Sequence, residues 1–325
     1  MGYEVKIGDC LESLRAMPDQ SVHCCVTSPP YFGLRDYGVD GQIGLEDTPQ
    51  AFVARLVEVF REVRRVLRDD GTLWLNLGDS YAAQRGGTHQ PAETLAGGKG
   101  GKTTDGARVN RDRHDGYNPT RNAHAIGLKH KDLIGIPWRV AFALQEDGWY
   151  LRQEIIWHKP NPMPESVRDR CTKAHEQIFL LSKSPRYYFD SEAIKEPVAE
   201  SSAARLAQPT LAQQAGSARV PGKTNGNMKA VGNGETRNRR SVWTVTTKPF
   251  KGAHFATFPP DLIEPCILAG CPVGGTVLDP FGGSGTTAGV ALKHGRSAIL
   301  CELNPDYAAM IPDRVNKIAG QGSLL

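Results

Sequence analysis

The chain has 325 residues, of which 39% are hydrophobic, and it contains 35 glycines and 22 prolines. This length and composition predict one substantial core surrounded by long loops. The seven cysteines form no Cys-x-x-Cys pair, so reduced thiols are expected rather than a disulfide framework or a zinc ribbon. We find no signal peptide, no lipidation motif and no apolar run near the roughly 20 residues of a membrane span. A soluble cytoplasmic protein without a metal is expected.

The net charge of +4 is unevenly distributed along the chain. From Ser201 to Lys251, nine Lys and Arg residues accompany one acidic residue, Glu235, which gives nine minus one, or +8. Such a stretch attracts a polyanion, whereas a solvated and disordered insertion would carry the same charge. Charge alone leaves both interpretations open.

The predicted elements of the first half begin with a βαβ unit and continue with a second helix and strand. Thr48 and Pro49 form the expected N-cap and first turn of that second helix, whose apolar residues recur at helical spacing until Gly71. In chain order the predictions are a strand at 4–7, a helix near 11–17, a strand at 22–26, a helix from 49 and a buried strand at 72–77.

Two irregular stretches, about 82–131 and 200–240, interrupt the chain after these elements. The regular elements between and after them alternate between helix and strand, which predicts an α/β fold. They are a helix at 136–145, strands at 150–157 and 177–182, a helix at 259–269, a strand at 275–279, a helix at 286–294 and a strand at 297–302.

A glycine-rich turn near the C-terminus separates a predicted strand from a predicted helix. Gly283, Gly285 and Ala288 fill a GxGxxA pattern, and Glu302 ends the next strand, where a carboxylate binds ribose hydroxyls. Thr287 stands where a phosphate-binding loop has lysine, and too few residues follow Glu302 for a dinucleotide fold. A nucleoside cofactor is therefore favoured, with a merely close-packed strand-helix joint as the alternative.

A second unusual turn, Ser28-Pro29-Pro30-Tyr31, follows the second predicted strand. The two prolines fix the backbone and remove two N–H donors, which leaves carbonyl groups as rigid acceptors. If Ser28 and the Pro29 carbonyl accept the hydrogens of a conjugated amine, its nitrogen can present a lone pair to a methyl sulfonium. Tyr31 would then stack on a base extruded from a duplex. A Pro-Pro turn beside a core tyrosine is the structural alternative.

The segments TSPPY at 27–31 and DPFGGSGTT at 279–287 resemble the catalytic and AdoMet-binding motifs of amino-DNA methyltransferases. Because the catalytic motif comes first, the chain is similar to the β class of that family. The resemblance extends to IGDCLESL from Ile7, QEIIWHKPNPMPES from Gln153, HEQIFLLSKSPRYYFD from His175, HFATFPPDLIEPCI from His254 and CELNPDY from Cys301.

The resemblance implies a circularly permuted, Rossmann-like AdoMet-dependent methyltransferase fold. Its seven-stranded sheet is mostly parallel, with the last strand antiparallel, and carries DNA-recognition insertions. The implied divisions are a catalytic half at 1–81, a flexible insertion at 82–131 that is a second candidate for DNA contact, a continuation of the methyltransferase domain at 132–199, a basic target-recognition region at 200–251 and an AdoMet-binding half at 252–325.

Site residues follow from the resemblance position by position. Ser28, Pro29, Pro30 and Tyr31 are the implied catalytic residues, and Trp157 joins Tyr31 in the base pocket. The implied AdoMet-binding residues are Asp9, Cys10, Thr27, His254, Phe258, Pro259, Asp279, Pro280, Phe281, Gly283, Ser284, Gly285, Thr286, Thr287, Glu302 and Leu303.

Double-stranded DNA is the implied substrate, contacted by Arg219, Lys223, Arg237, Arg239 and Arg240, which supply phosphate contacts and guanine readout. Serine before Pro-Pro-Tyr favours N4 of cytosine slightly over N6 of adenine. The resemblance also suggests a homodimer and a cognate restriction endonuclease that makes no physical contact.

Three other functions stay open at this point. A nicotinamide oxidoreductase would explain the glycine pattern alone, and a non-catalytic DNA-binding protein would explain the basic stretch alone. RNA or protein-glutamine methylation would use a similar Pro-Pro-Tyr turn, although those enzymes usually place the cofactor motif first.

Overall fold

The computed structural model describes residues 2–34, 38–83, 123, 126–198, 235–247 and 258–320. Most of the two irregular stretches falls outside these ranges, as do His254, Arg219 and Lys223. Within the described ranges, no helix has the length and apolarity required to cross a membrane.

Ten strands are formed by the described residues, and eight of them make one sheet. The two remaining strands, β6 and β7, pair with each other. In chain order the strands are β1 (Tyr3–Ile7), β2 (Val22–Thr27), β3 (Leu67–Leu77), β4 (Tyr150–His158), β5 (His175–Ser182), β6 (Glu196–Pro197), β7 (Thr236–Arg237), β8 (Val242–Thr244), β9 (Thr276–Asp279) and β10 (Ser297–Glu302).

The large sheet has the order β1-β10-β9-β2-β3-β5-β4-β8. Strands from the two ends of the chain are neighbours in this sheet, because β2 pairs in parallel with β9 as well as with β3. Only β5, among the described strands of this sheet, runs antiparallel to its neighbours β3 and β4. The permuted, mostly parallel α/β fold is therefore confirmed, with β8 as an additional eighth strand at the edge.

Six α-helices of the described ranges cover the two faces of this sheet. The first three share a core cluster with Leu73 and Leu75, whereas the last three share another with Trp74 and Val277. Alternate residues of a strand point to opposite faces, so these clusters place three helices on each side. The helices are α1 (Cys10–Arg15), α2 (Pro49–Val66), α3 (Ile136–Glu146), α4 (Pro260–Gly270), α5 (Thr286–Lys293) and α6 (Pro305–Gly320).

The second helix begins as predicted but ends earlier than its pattern suggests. The Thr48 hydroxyl accepts a hydrogen bond from the Ala51 N–H at 3.1 Å, as an N-cap does. At the other end, Leu67 has extended dihedral angles and pairs with Val22 as the first residue of β3. Since Leu67 is also buried, the apolar spacing continues one residue beyond the helical backbone.

The helix α6 and the strand β8 were not predicted from the sequence, nor were the two-residue strands β6 and β7. α6 follows the last predicted strand and buries Ala308, Ile311, Val315 and Ile318 at helical spacing. β8 lies inside the basic stretch and extends the main sheet by pairing in parallel with β4. The end of the basic stretch therefore belongs to the same sheet as the predicted motifs.

This topology brings both unusual turns to one edge of the sheet. Parallel strands end at a common edge, so the residues after Thr27, Asp279 and Glu302 meet there. Because β5 is reversed, it contributes its first residues, beginning at His175, to the same edge.

Candidate active site

A cavity of about 770 Å³ opens at this edge, and both motif turns contribute to its wall. Most of the residues predicted for catalysis, base binding and cofactor binding are brought together here. Those that line the cavity are Asp9, Cys10, Ser28, Pro29, Pro30, Tyr31, Trp157, Phe258, Asp279, Pro280, Phe281, Gly283, Ser284, Thr286, Glu302 and Leu303.

The glycine-rich turn depends on backbone conformations that glycine adopts easily. Gly283 has φ of 51° and Gly285 has φ of 85°. A Cβ on Gly285 would also lie 2.8 Å from Ile311 of α6. The turn is fastened to β10 by the Gly282 N–H, which donates to the Cys301 carbonyl at 2.8 Å. Glycine here allows a tight turn that packs directly on α6.

Asp279 joins the two turns. Its carboxylate accepts hydrogen bonds of 2.6 Å from both the Thr27 and the Thr287 hydroxyls, and one of 3.1 Å from the Phe281 N–H. Complete burial raises the pKa of Asp279, and these three donors partly oppose that rise. A buried link thus holds the end of β2 beside the glycine-rich turn.

Glu302 is held by the backbone on both sides of its carboxylate. The Gly283 N–H donates to Oε2 at 2.7 Å, and the Asn304 N–H donates to Oε1 at 2.8 Å. Burial is the main reason that its pKa rises to about 7. The remaining lone pairs of this positioned carboxylate can accept hydroxyl groups from a ligand in the cavity.

Asp9 and Cys10 lie where β1 meets α1. The Asp9 carboxylate caps α1 by accepting from the Leu11 N–H at 2.8 Å and the Glu12 N–H at 3.1 Å. Burial raises the pKa of Cys10 to about 12, so its thiol is protonated at neutral pH. Both residues therefore shape this part of the cavity wall as well as fixing the start of α1.

Two hydroxyl groups on the cavity wall show whether the cavity suits a nucleoside that carries an amino-acid group. The Oγ of Ser284 and the Oγ1 of Thr286 are buried, and neither has a hydrogen-bond partner among the described residues. Buried hydroxyls without partners are costly, so a polar ligand beside them would stabilise the site. Together with Glu302, this wall fits AdoMet, whose methionine part carries charged groups and whose ribose carries hydroxyls.

Tyr31 is fixed by both its hydroxyl and its ring. The hydroxyl donates to Glu176 at 2.7 Å and lies 3.3 Å from Oδ1 of Asn76. The ring lies so close to Gly78 that a Cβ there would be 2.3 Å from Cε2 of Tyr31. The absence of a side chain at Gly78 therefore makes room for the tyrosine ring.

Glu176 also anchors the side of the cavity that Trp157 and Lys159 line. Its carboxylate pairs with the Lys159 ammonium at 2.5 Å and accepts from the Asn76 amide at 3.2 Å. Lys159 lies 4.2 Å from the ring centroid of Trp157, a cation–π contact. The Trp157 indole N–H donates to the Val245 carbonyl at 2.8 Å, which fixes the ring.

Sequence reasoning did not single out Asn76, Lys159 or Glu176, although all three line the cavity. A signal existed in the pattern, because Asn76 interrupts the apolar strand TLWLNL and Glu176 opens the apolar strand HEQIFLLS. Polar residues at strand ends that share one edge are candidates for a common site.

Four predicted cofactor residues do not line the cavity: Thr27, Pro259, Gly285 and Thr287. Both threonine hydroxyls bind Asp279, and Gly285 packs on Ile311. Pro259 is buried at the start of α4. The geometry gives these residues a supporting position around the cavity.

Three predicted DNA-binding arginines make contacts within the protein. Arg237 and Arg240 both pair with Glu196, at 2.9 Å and 2.7 Å. The Arg239 guanidinium lies 4.8 Å from the ring centroid of Trp243. Their contact with DNA stays a prediction.

A sequence profile described as DNA methylase matches residues 22–313 of this chain. Type II methyltransferase M.Cfr9I of Citrobacter freundii is 47% identical over 320 residues, which cover 97% of this chain and 87% of the relative. Type II methyltransferase M.SmaI of Serratia marcescens is 45% identical over 313 residues, covering 96% and 90% of the two chains.

Solved structures show the same fold. PvuII DNA methyltransferase (cytosine-N4-specific) has a TM-score of 0.62 at 17% identity, covering 99% of this chain and 93% of that one. A DNA modification methylase of Thermus thermophilus, complexed with S-adenosyl-L-methionine, has a TM-score of 0.56 at 23% identity, covering 98% and 96%.

The chain belongs to the family of N6 and N4 DNA methylases. It is an AdoMet-dependent DNA methyltransferase, so the predicted enzyme class, methyl donor and DNA substrate are confirmed. The alternative functions weighed from sequence, including the oxidoreductase, are not supported by these matches.

Proposed function

We propose that this methyltransferase transfers the methyl group of AdoMet directly to N4 of an extruded cytosine within a specific DNA sequence, with N6 of adenine as the alternative target. AdoMet supplies an electrophilic methyl group on a sulfonium. The groups that hold and orient the target amine are assigned to side chains and carbonyl groups of this chain.

One observation supports this proposal most strongly, namely that two turns about 250 residues apart in sequence line a single cavity. The 2.6 Å hydrogen bond from Thr27 to Asp279 fixes their relative position. An amine held at Ser28 would therefore meet a methyl donor held along 279–286 without a large movement of the protein.

The chemistry needs acceptors for the hydrogens of the target amine. Its lone pair is delocalised into the ring, and hydrogen bonds from its two N–H groups to the Ser28 hydroxyl and the Pro29 carbonyl favour a tetrahedral nitrogen. In-line attack on the methyl group then forms the N–C bond while the S–C bond breaks. The extra proton on nitrogen leaves to solvent, and no covalent enzyme intermediate is required.

The slight preference for cytosine comes from Ser28, because serine at this motif position favours N4 methylation among similar enzymes. PvuII DNA methyltransferase, which has a similar fold, is likewise described as cytosine-N4-specific. Mass spectrometry of nucleosides from DNA incubated with enzyme and AdoMet tests this. We expect N4-methylcytosine, and N6-methyladenine alone would replace our choice of base while leaving the reaction class intact.

Two variants test the proposed catalytic turn. We expect Ser28→Ala and Tyr31→Ala to lower the single-turnover rate of methyl transfer by roughly 100-fold, comparable with the loss of one positioned hydrogen-bond partner in a catalytic site. AdoMet affinity, measured by titration calorimetry, should change less than about threefold. Normal transfer rates in both variants would contradict the assignment.

The basic stretch is proposed to bind the DNA backbone. A double Ala variant of Arg219 and Lys223 should weaken DNA binding uniformly across sequences and reduce the steepness of its salt dependence by about two counterions. Binding measured by fluorescence anisotropy at several salt concentrations checks this. An unchanged salt slope would remove these residues from the interface.

The Type II relatives suggest that methylation protects DNA in a restriction-modification pair. We accordingly propose a cognate endonuclease that reads the same sequence without contacting this protein. We also propose a cytoplasmic homodimer. Mapping methylated positions in exposed genomic DNA identifies the sequence, and light scattering of the purified protein tests the dimer.

A further inference from the structure

The connection between β4 and β5 begins with the sequence Lys159-Pro160-Asn161-Pro162-Met163-Pro164. Prolines at alternate positions fix φ at three points and bias each preceding residue toward extended backbone. This proline loop, residues 159–164, is therefore stiff although it lies outside the strands. Its first residue, Lys159, is anchored by Glu176 on β5.

A pair of hydrogen bonds clamps the middle of the proline loop. The Asn161 amide donates to the Thr247 carbonyl at 3.2 Å, and its oxygen accepts from the Thr247 N–H at 3.1 Å. The side chain thus imitates one residue of a neighbouring strand. Residues on either side of Asn161 are held in place relative to the cavity.

Met163 protrudes from this stiff loop. It is 78% exposed, the highest value among the large exposed hydrophobic residues that the structure describes. It nevertheless lines the cavity together with Trp157 and Lys159. An unbranched apolar side chain is thus displayed beside the proposed base pocket, where its burial against an apolar partner would be favourable.

We propose that Met163 enters the base stack of the DNA and fills the space that the extruded target base leaves. This inference rests on the proposed function, because it requires a base to leave the duplex. Extrusion sacrifices stacking and pairing, and an apolar side chain inserted between base pairs offsets part of that loss. The stiffness of the proline loop means that little loop entropy is lost when Met163 inserts.

The inference predicts that the need for Met163 depends on how firmly the target base is paired. Single-turnover methyl transfer is measured on a duplex carrying the mapped recognition sequence, and on the same duplex with an abasic position opposite the target. Met163→Ala should lower the rate on the paired duplex roughly tenfold, yet by less than about twofold on the abasic duplex, where extrusion costs less. Met163→Leu should restore most of the rate on the paired duplex.

Val273→Ala is the matched control, because Val273 is 72% exposed but does not line the cavity. It should leave both rates unchanged. Equal losses on the two duplexes, no loss on either, or weakened AdoMet binding in Met163→Ala would overturn the inference. If the unmodified enzyme methylates neither duplex, the proposed function is overturned instead. Failure of the inference and failure of the proposed function therefore give different results.

Discussion

We expect Glu302 to couple the proposed cofactor binding to pH. Its pKa of about 7 in the free protein lies above the ordinary value of 4.5. The folded state therefore retains this proton when the unfolded state has lost it, so the carboxylate lowers stability as pH rises from 4.5 to about 7. A ligand that binds only the ionised Glu302 carboxylate therefore competes with this proton.

We expect S-adenosylhomocysteine affinity to increase severalfold as pH rises from about 6 to about 8, because the ionised carboxylate accepts ribose hydroxyls better than the protonated form. Titration calorimetry across this range should also show proton release on binding. Glu302→Gln should bind more weakly with a flat pH profile. An unchanged slope in that variant would assign the pH dependence to another group.

Glu176 contacts two residues beside the proposed base pocket, Tyr31 and Lys159. Replacing it by Ala removes the 2.7 Å acceptor of Tyr31 and the ion-pair partner of Lys159. We expect a rate of methyl transfer lower by roughly tenfold to 100-fold, with AdoMet affinity nearly unchanged, because the lost contacts lie on the base side. Single-turnover kinetics and cofactor titration test this separation.

A surface pair provides the control for Glu176. Glu58 pairs with Arg55 on α2 at 2.9 Å and does not line the cavity. Glu58→Ala should leave the transfer rate within about twofold, since exposed ion pairs contribute little. Parallel loss of AdoMet binding and transfer in Glu176→Ala would indicate a general structural role instead.

Among the elements, β3 sets the position of the proposed catalytic turn through Gly78, the residue that follows it. A Cβ on Gly78 would collide with the Tyr31 ring, so Gly78→Ala should displace that ring. We expect methyl transfer to fall at least tenfold while AdoMet affinity stays within about threefold. Fluorescence titration and a transfer assay on one preparation measure both.

Gly320 offers a comparison for Gly78, because a Cβ there would meet no heavy atom within 4 Å. Gly320→Ala should retain the full rate. If Gly78→Ala also retained the full rate of methyl transfer, the reaction would not require Tyr31 in the position seen here.

The sequence predicts the elements well wherever periodicity and capping agree, as in α2, where Thr48 caps the start. It misplaces the end of that helix because Leu67 satisfies the helical spacing while its backbone pairs with Val22. β8 was missed because three residues are too few to show a period, and its stability comes from pairing with β4.

For the whole molecule, cofactor binding should stabilise the fold, because the cavity wall combines residues from both ends of the chain. At a concentration 100 times its Kd, AdoMet should add about 2.7 kcal/mol to the free energy of unfolding. Differential scanning fluorimetry should then show a midpoint higher by several degrees. Ser28→Ala should keep this shift, whereas Glu302→Ala should lose most of it.

The candidate site was predictable where a motif concentrates its residues, as in the turns near Ser28 and Gly283. Asn76, Lys159 and Glu176 were not predictable in the same way, because each stands alone at a strand end. Only the three-dimensional order of the strands brings Glu176 within reach of Tyr31. Similarly, the role of Thr27 in linking the two turns is visible only from its hydrogen bond to Asp279.

The reversed direction of β5 makes the β4–β5 connection the tip of an antiparallel hairpin. The chain leaves β4 and enters β5 at the same rim, and the ladder between these strands holds both stems in register. Residues within 165–174 are also tied to the segment after β3: the Lys173 ammonium donates to the Asp79 carbonyl at 3.1 Å, and the Arg170 guanidinium lies 3.9 Å from the ring centroid of Tyr81. Remodelling this tip should therefore also affect the residues that follow β3, because Lys173 and Arg170 contact them.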